Sequence, residues 1–240
     1  MGPRSGELLL MATRSRTTAL THSRQDYVKA LYDLDAGEPV SVSTLARHLE
    51  ISPPSVTNML ARLDEEKLVT LHHRGAARLT HEGQREALRV VRRHRILEAF
   101  LVRVLGLDWS EVHEDAEVLE HHVSDRVLDA IDQLMEHPSE DPHGHLIPDR
   151  LGRLPRRVLL PIADLAAGRH AVVREIHDRD ARRMQRWKQA GLVPGAHVRM
   201  HAVHDDGEVF EVEVEGQRMV TGTATLEGVF VEASDPGVQR

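Results

Sequence analysis

The residues of this chain best equipped for chemistry are imidazoles and carboxylates set at helical spacing. His94 and Glu98 come first, followed by His113, Glu117, Glu120 and His121. Residues three and four apart share a helix face, so Glu117, Glu120 and His121 project together, with His113 one turn before Glu117. His94 and Glu98 pair in the same way on the preceding helix. Imidazoles and carboxylates on adjoining helices, with no sulfur among them, describe a divalent-metal site. The bland alternative is a solvated acidic face. Histidines interleaved with the carboxylates at coordinating offsets favour the metal.

Composition bounds what can position such a site. The 240 residues suffice for two small domains or one large one, and 40% hydrophobic content supports a real core. Aromatics are only 3%, so Leu, Val, Ile and Ala must carry the packing. The absence of cysteine excludes disulfides and thiolate ligands and agrees with a cytoplasmic protein. The early apolar run Leu8 to Ala12 is too short for a secretory or membrane segment. Charge is uneven. Between Glu98 and Asp141 thirteen Asp or Glu face only Arg103 and Arg126, whereas residues 1–80 hold ten Lys or Arg against nine acids. A near-neutral front and an acidic middle suit an anionic and a cationic partner respectively.

The expected elements follow the chain. Residues 1–20 read as a disordered arm. A helix from about Thr21 to Asp35 carries the stripe Tyr27, Ala30, Leu31 and Leu34. Ser43 to Leu49 is a second, short helix. Ser52 then caps a third, with Pro53 in its first turn and Val56, Leu60 and Leu63 facing inward. Leu68–Leu71 and Ala77–Thr80 form a hairpin around His72 to Gly75. A helix-turn-helix followed by such a wing, over residues 21–80, points to double-stranded DNA. Asn58 is the expected base reader; Ser52, Pro54, Ser55 and Thr57 lie at the helix start, and Arg62, Arg74 and Arg78 supply backbone charge.

Residues 81–137 predict a helical metal-binding and dimerisation unit. A long helix capped by Thr80 runs to about Leu105, and Ser110 and Ser124 cap two more. Its surplus of apolar positions, Ile96 to Leu134, suits a homodimer interface. Prolines 138, 142, 148 and 155 mark residues 138–155 as an extended linker whose histidines are surface residues. From 156 to 232 the period shifts to two, with strands expected at Ala171–Ile176, Val198–Val203, Glu208–Val214 and Val229–Val231 and one helix from Asp180 to Ala190, which fits a small β-barrel; 233–240 is a tail. The fold class is thus mainly α with a β C-terminal part.

The order of helix-turn-helix, wing, Arg93-His94-Arg95-Ile-Leu-Glu98, Val112-His113-Glu-Asp-Ala-Glu117-Val-Leu-Glu120-His121, Ser124-Asp125 and Gly144-His-Leu-Ile-Pro148 resembles the diphtheria toxin repressor family of metal-dependent transcriptional regulators. Gly191-Leu-Val-Pro-Gly195 looks like its SH3-like module. The resemblance implies a primary site at Asp26, Glu117, Glu120 and His121. It implies an ancillary site at His94, Glu98 and His113, with a barrel ligand near Asp180. Carboxylates at 26 and 117, where iron-type members carry Met and Cys, imply Mn²⁺ with Fe²⁺ second. Two departures stand out. Lys29 occupies a position where two-domain manganese members place Glu, which speaks against their two-metal cluster. Arg183 replaces a barrel Gln.

No membrane partner or organic cofactor is expected, and no catalysis. Two alternatives remain open. For a helical metalloenzyme, His113-Glu114-x-x-Glu117 ends in Glu where a zinc protease has His, and Glu140-x-x-His143 spans Pro142. The other is a winged-helix regulator that needs no metal.

Overall fold

A computed structural model describes residues 21–178, 180–204 and 207–234. The arm expected over residues 1–20 and most of the tail lie outside them. The first helix, α1 (His22–Asp33), lays Tyr27, Val28, Ala30 and Leu31 into a core. Helix α2 (Val42–His48) is capped by Ser41, and α3 (Pro53–Glu65) by Ser52, whose hydroxyl accepts from the Ser55 amide. Strands β1 (Val69–Leu71) and β2 (Ala77–Leu79) form the wing, tied to the chain ahead of α2 by a Val40–Ala77 bridge. One cluster buries Val28, Leu31, Leu45, Val56, Leu60 and Leu63, so the three helices share a single core.

Helix α4 (His81–Arg103) follows directly, with the Thr80 hydroxyl capping the Gly83 amide. A Cβ on Gly83 would fall 1.9 Å from the Leu68 carbonyl oxygen, so only glycine lets α4 leave the wing this closely. Helices α5 (Val112–Glu120) and α6 (Asp125–Leu134) pack on α4 around Ile96, Leu97, Val112, Ala116 and Leu128. Ser124 caps α6 as expected, but Ser110 does not cap α5. Its hydroxyl instead donates to the Asp108 carboxylate at 2.7 Å, and Glu111 takes the cap position.

The stretch expected as an extended linker is folded. Glu140 and Leu146 form a bridge, Asp141, His143 and Ile147 are buried, and Asp141 Oδ1 accepts the amides of His143 and His145 at 2.8 and 3.0 Å. That side-chain turn replaces the hydrogen bonds an extended chain would find in water.

The remainder is a six-stranded antiparallel sheet in the order β3-β8-β4-β5-β6-β7. Its strands are β3 (Leu160–Pro161), β4 (His170–Ile176), β5 (His197–His204), β6 (Val209–Val214), β7 (Gln217–Gly222) and β8 (Val229–Ala233). Irregular register at Val173/Glu175 and Met200/Ala202 marks bulges, which bend strands. Helix α7 (Ala181–Gln189) and the one-turn α8 (Thr223–Leu226) close the sheet over a core of Trp187, Phe210, Met184 and Ile176. Two of the strands were not expected. β3 is two residues long, and β7 exposes Val220 rather than alternating cleanly. No described helix is long and apolar enough to cross a membrane.

Candidate metal centre

Three helices bring the charged residues together. Helix α1 supplies Asp26 and Lys29, α4 supplies His94 and Glu98, and α5 supplies His113, Glu117 and Glu120. His121 is the C-cap of α5 and keeps a helical backbone, φ −84° and ψ −20°, so it stays in line with Glu117. Arg93 fixes that end of α5, donating from Nε to the Glu120 carbonyl at 2.8 Å and to the Val123 carbonyl. Carbonyls at a helix C-terminus otherwise lack partners.

Around these residues the ligand atoms fall into two triads. Asp26, Glu120 and His121 form one, His94, His113 and Glu117 the other, each with its atoms within 4.8 Å of one another. In the first, His121 Nε2 lies 2.9 Å from Asp26 Oδ1 and 3.7 Å from Glu120 Oε1. The other imidazole nitrogen, Nδ1, is 2.9 Å from Gln25 Oε1, an acceptor. With the Gln25 oxygen as acceptor, Nδ1 donates, and Nε2 is the nitrogen that would ligate an ion held between it and the carboxylates. Gln25 gave no sequence signal, since its role appears only once α1 and α5 meet.

Lys29 stands between the triads, its side chain only 8% exposed. Its ammonium donates to Glu117 Oε1 at 2.9 Å and to Glu120 Oε1 and Oε2 at 3.0 and 2.8 Å. It also lies 3.1 Å from His94 Nδ1, which is itself 2.7 Å from Glu120 Oε2. His94 cannot satisfy both neighbours, because Lys29 asks that nitrogen for a lone pair and Glu120 for a proton. Glu117, expected to share a sphere with Asp26, thus lies across the ammonium, grouped with His94 and His113.

Titration behaviour follows from this crowding. Burial works against a charged His94, but the Glu98 charge and hydrogen bonds to Glu120 and Glu98 push it up to about 9. Burial would raise Glu98, yet His94, His113 and His143 hold it well below the carboxylate range. Burial raises Asp26, with Glu120 and Glu117 adding to the shift against His121. Glu117 is lowered because Lys29 and His94 outweigh its burial.

His143, read from sequence as a surface residue, is buried beside this cluster. Its Nε2 is 2.7 Å from the Trp109 carbonyl and its Nδ1 is 3.5 Å from Glu98 Oε2. The carbonyl can only accept, so Nε2 donates and Nδ1 faces the carboxylate. Asp180 is not brought in. It is exposed and caps α7, accepting from the Arg182 amide at 2.9 Å. Arg183 stacks on Trp187 and pairs with Asp178 at 3.1 Å.

The DNA-facing candidates sit together. Ser52, Pro54, Ser55, Thr57, Asn58 and Arg62 are all exposed on one side of α3, opposite buried Val56, Leu60 and Leu63. Arg74 is exposed at the wing tip, with φ 58°. Arg78 instead donates to the Gly37 carbonyl, bracing the wing.

Comparison with known proteins bears on both regions. Residues 19–77 match the iron dependent repressor N-terminal DNA binding domain, and residues 80–149 its metal binding and dimerisation domain. The chain is 30% identical over 201 residues to the iron-dependent repressor IdeR of Mycobacterium tuberculosis, covering 78% of this chain and 87% of that protein. The chain belongs to the iron-dependent repressor family. Residues 160–233 of this family member match a FeoA domain, which accounts for the C-terminal sheet. IdeR of Mycobacterium leprae is 31% identical over 195 residues, covering 75% of this chain and 84% of that one. A manganese-dependent transcriptional repressor solved with manganese superposes with a TM-score of 0.82 at 32% identity, over 88% of this chain and 100% of the other. ScaR with bound Cd²⁺ gives 0.76 at 30% identity, over 87% and 98%. The family so described is one of metal-dependent transcriptional repressors, which sets the metalloenzyme alternative aside.

Proposed function

We propose that this chain is a repressor that binds double-stranded DNA as a homodimer in the cytoplasm and responds to a divalent metal. Mn²⁺ is the preferred ion and Fe²⁺ the alternative. The observation that carries the reading is the 2.9 Å approach of His121, at the end of α5, to Asp26 on α1. Asp26 belongs to the helix that shares a core with recognition helix α3, whereas His121 belongs to the middle unit. Metal held by Asp26, Glu120 and His121 favours the arrangement in which those units are locked together. In a dimer that arrangement sets the spacing of two recognition helices on successive major grooves.

The donor set supports the ion. Two carboxylates and one imidazole suit Mn²⁺ and Fe²⁺ better than softer ions. Glu98, His113 and His94, joined by His143, form the ancillary set on the far side of Lys29. The dimer surface is proposed on the middle unit, where Leu105, Leu107, Val118, Val127 and Leu134 remain exposed. Asn58 reads bases, with Ser52, Pro54, Ser55 and Thr57 beside it and Arg62 and Arg74 at the phosphates, while Arg78 braces the wing through the Gly37 carbonyl.

Lys29 supports a second reading, a regulator that needs no metal, because its ammonium already joins α1 to α5. A gel shift on operator DNA with and without Mn²⁺ separates the two. Metal-responsive repression gives at least tenfold tighter binding with Mn²⁺ in the wild type and none of that gain in His121→Ala. Equal affinity with and without Mn²⁺ in the wild type establishes the second reading.

A further inference from the structure

The cleft beside the inner cluster, about 950 Å³, extends outwards to the sheet, and its outer wall carries histidines that the regulatory reading does not use. His145 comes from the folded 138–155 segment, Glu175 from the end of strand β4, and His177 from just beyond it. Their ligand atoms all lie within 4.8 Å of one another. His177 Nε2 is 3.0 Å from Glu175 Oε2, and the two imidazole rings meet edge to face with centroids 4.6 Å apart.

We propose that His145, Glu175 and His177 form a separate divalent-metal site, selective for nitrogen-preferring ions such as Zn²⁺, that fastens the sheet to the helical body. Two imidazoles with a single carboxylate form a donor set typical of Zn²⁺, whereas Mn²⁺ calls for more oxygen.

The surroundings are built as an outer shell. His145 Nδ1 is 3.0 Å from Asp141 Oδ2, and Asp141 is itself buried and held by two backbone amides. A carboxylate on one imidazole nitrogen fixes the tautomer and turns the other nitrogen towards a metal. His177 packs its ring on Phe230, centroids 4.5 Å apart, and its amide donates to the Gly228 carbonyl at 2.8 Å. Glu175 gives its other oxygen, Oε1, to Arg157 at 3.5 Å, so Oε2 alone faces the histidines.

The two chain segments that supply the ligands are also held in register. The Ile176 amide donates to the His143 carbonyl at 3.0 Å. Between the two histidines, Gly144 lies against β4, where a Cβ would come within 1.8 Å of the Arg174 carbonyl oxygen. His143 on one side of that glycine turns inwards to Glu98, and His145 on the other side turns out to His177. The turn therefore divides its histidines between two clusters.

The site shares no ligand with the regulatory set, so it stands or falls separately. The test is Zn²⁺ titration of the full chain against a chromophoric chelator, using wild type, His177→Ala, His145→Ala and His121→Ala. The expected result is one fewer tightly held Zn²⁺ in each of the first two variants, with Mn²⁺-stimulated DNA binding unchanged. His121→Ala should keep that Zn²⁺ and lose the DNA response. Long-range ¹H–¹⁵N spectra of the wild type supply a readout that needs no substitution: the His145 and His177 ring nitrogens should shift together at the same Zn²⁺ equivalent. Unchanged Zn²⁺ stoichiometry in both outer variants, or shifts confined to other histidines, overturns the proposal.

Discussion

Two clusters of imidazole and carboxylate share one cleft, and they balance charge in opposite ways. The inner one places a buried ammonium among its ligands, with Lys29 Nζ 2.8 to 3.1 Å from Glu117, Glu120 and His94. The outer one keeps its cations at the edge, where Arg157 approaches Glu175 at 3.5 Å and Arg95 approaches Asp141 at 3.7 Å. Buried carboxylates must be paired, and a lysine at the centre supplies one charge permanently where an ion would supply two on demand. The inner cluster is therefore held together by Lys29, and on the proposed reading the regulatory ion takes the Asp26–Glu120–His121 side of it. The outer cluster leaves the space between its ligands to the ion itself.

Removing the central charge gives the largest expected effect. Lys29→Met should cost the metal-free chain about 3–5 kcal/mol, the usual result of leaving buried carboxylates unpaired. Mn²⁺ should restore much of that loss in urea unfolding. A similar loss with and without Mn²⁺ would mean that lysine and metal do not substitute for one another. At the outer cluster, Asp141→Ala removes the acceptor for two backbone amides and His145, at about 1–3 kcal/mol. That loss should appear equally with and without Mn²⁺.

pH sharpens the contrast further. His94 is raised from its ordinary 6.5 to about 9 in the folded chain, so its charge stabilises fully below 6.5 and that contribution is lost as pH climbs to about 9. Glu98 is lowered, so its contribution is present above its ordinary value of 4.5 and is lost as pH falls further. Thermal melts of the metal-free chain should accordingly decline on both sides of an interval from about pH 4.5 to 6.5. In His94→Gln the alkaline decline should be diminished. The smallest effect is expected for His177→Ala in the absence of metal, within about 0.5 kcal/mol, since the ring is half exposed. A larger loss would make His177 a structural residue first.

Much of this arrangement was legible in the residues. Helical spacing placed His94 with Glu98, whereas Glu117, expected beside His121, groups with His94 and His113; the capping residues Ser52, Thr80 and Ser124 marked three helix starts. Lys29 was visible as a misfit, but spacing alone cannot reveal that a side chain from α1 reaches between α4 and α5. The histidines at 143 and 145 were misread for a physical reason. Four prolines suggested an extended chain, and the competing signal, Asp141 two and four residues ahead of amides it can accept, is local and easily outweighed. Gln25 was invisible because it orients His121 across a contact between distant helices. β3 and β7 escaped notice because strand periodicity needs more length or cleaner alternation than they offer.

The regulatory reading rests on coupling between metal and DNA, and coupling is reciprocal. If ion binding at Asp26, Glu120 and His121 raises DNA affinity, DNA must raise ion affinity by the same factor. The direct measurement is a calorimetric titration of Mn²⁺ into the wild-type chain, alone and saturated with operator DNA. The expected result is a Mn²⁺ Kd at least tenfold lower with DNA, and no such difference in His121→Ala. A wild-type Kd unchanged by DNA would contradict the account.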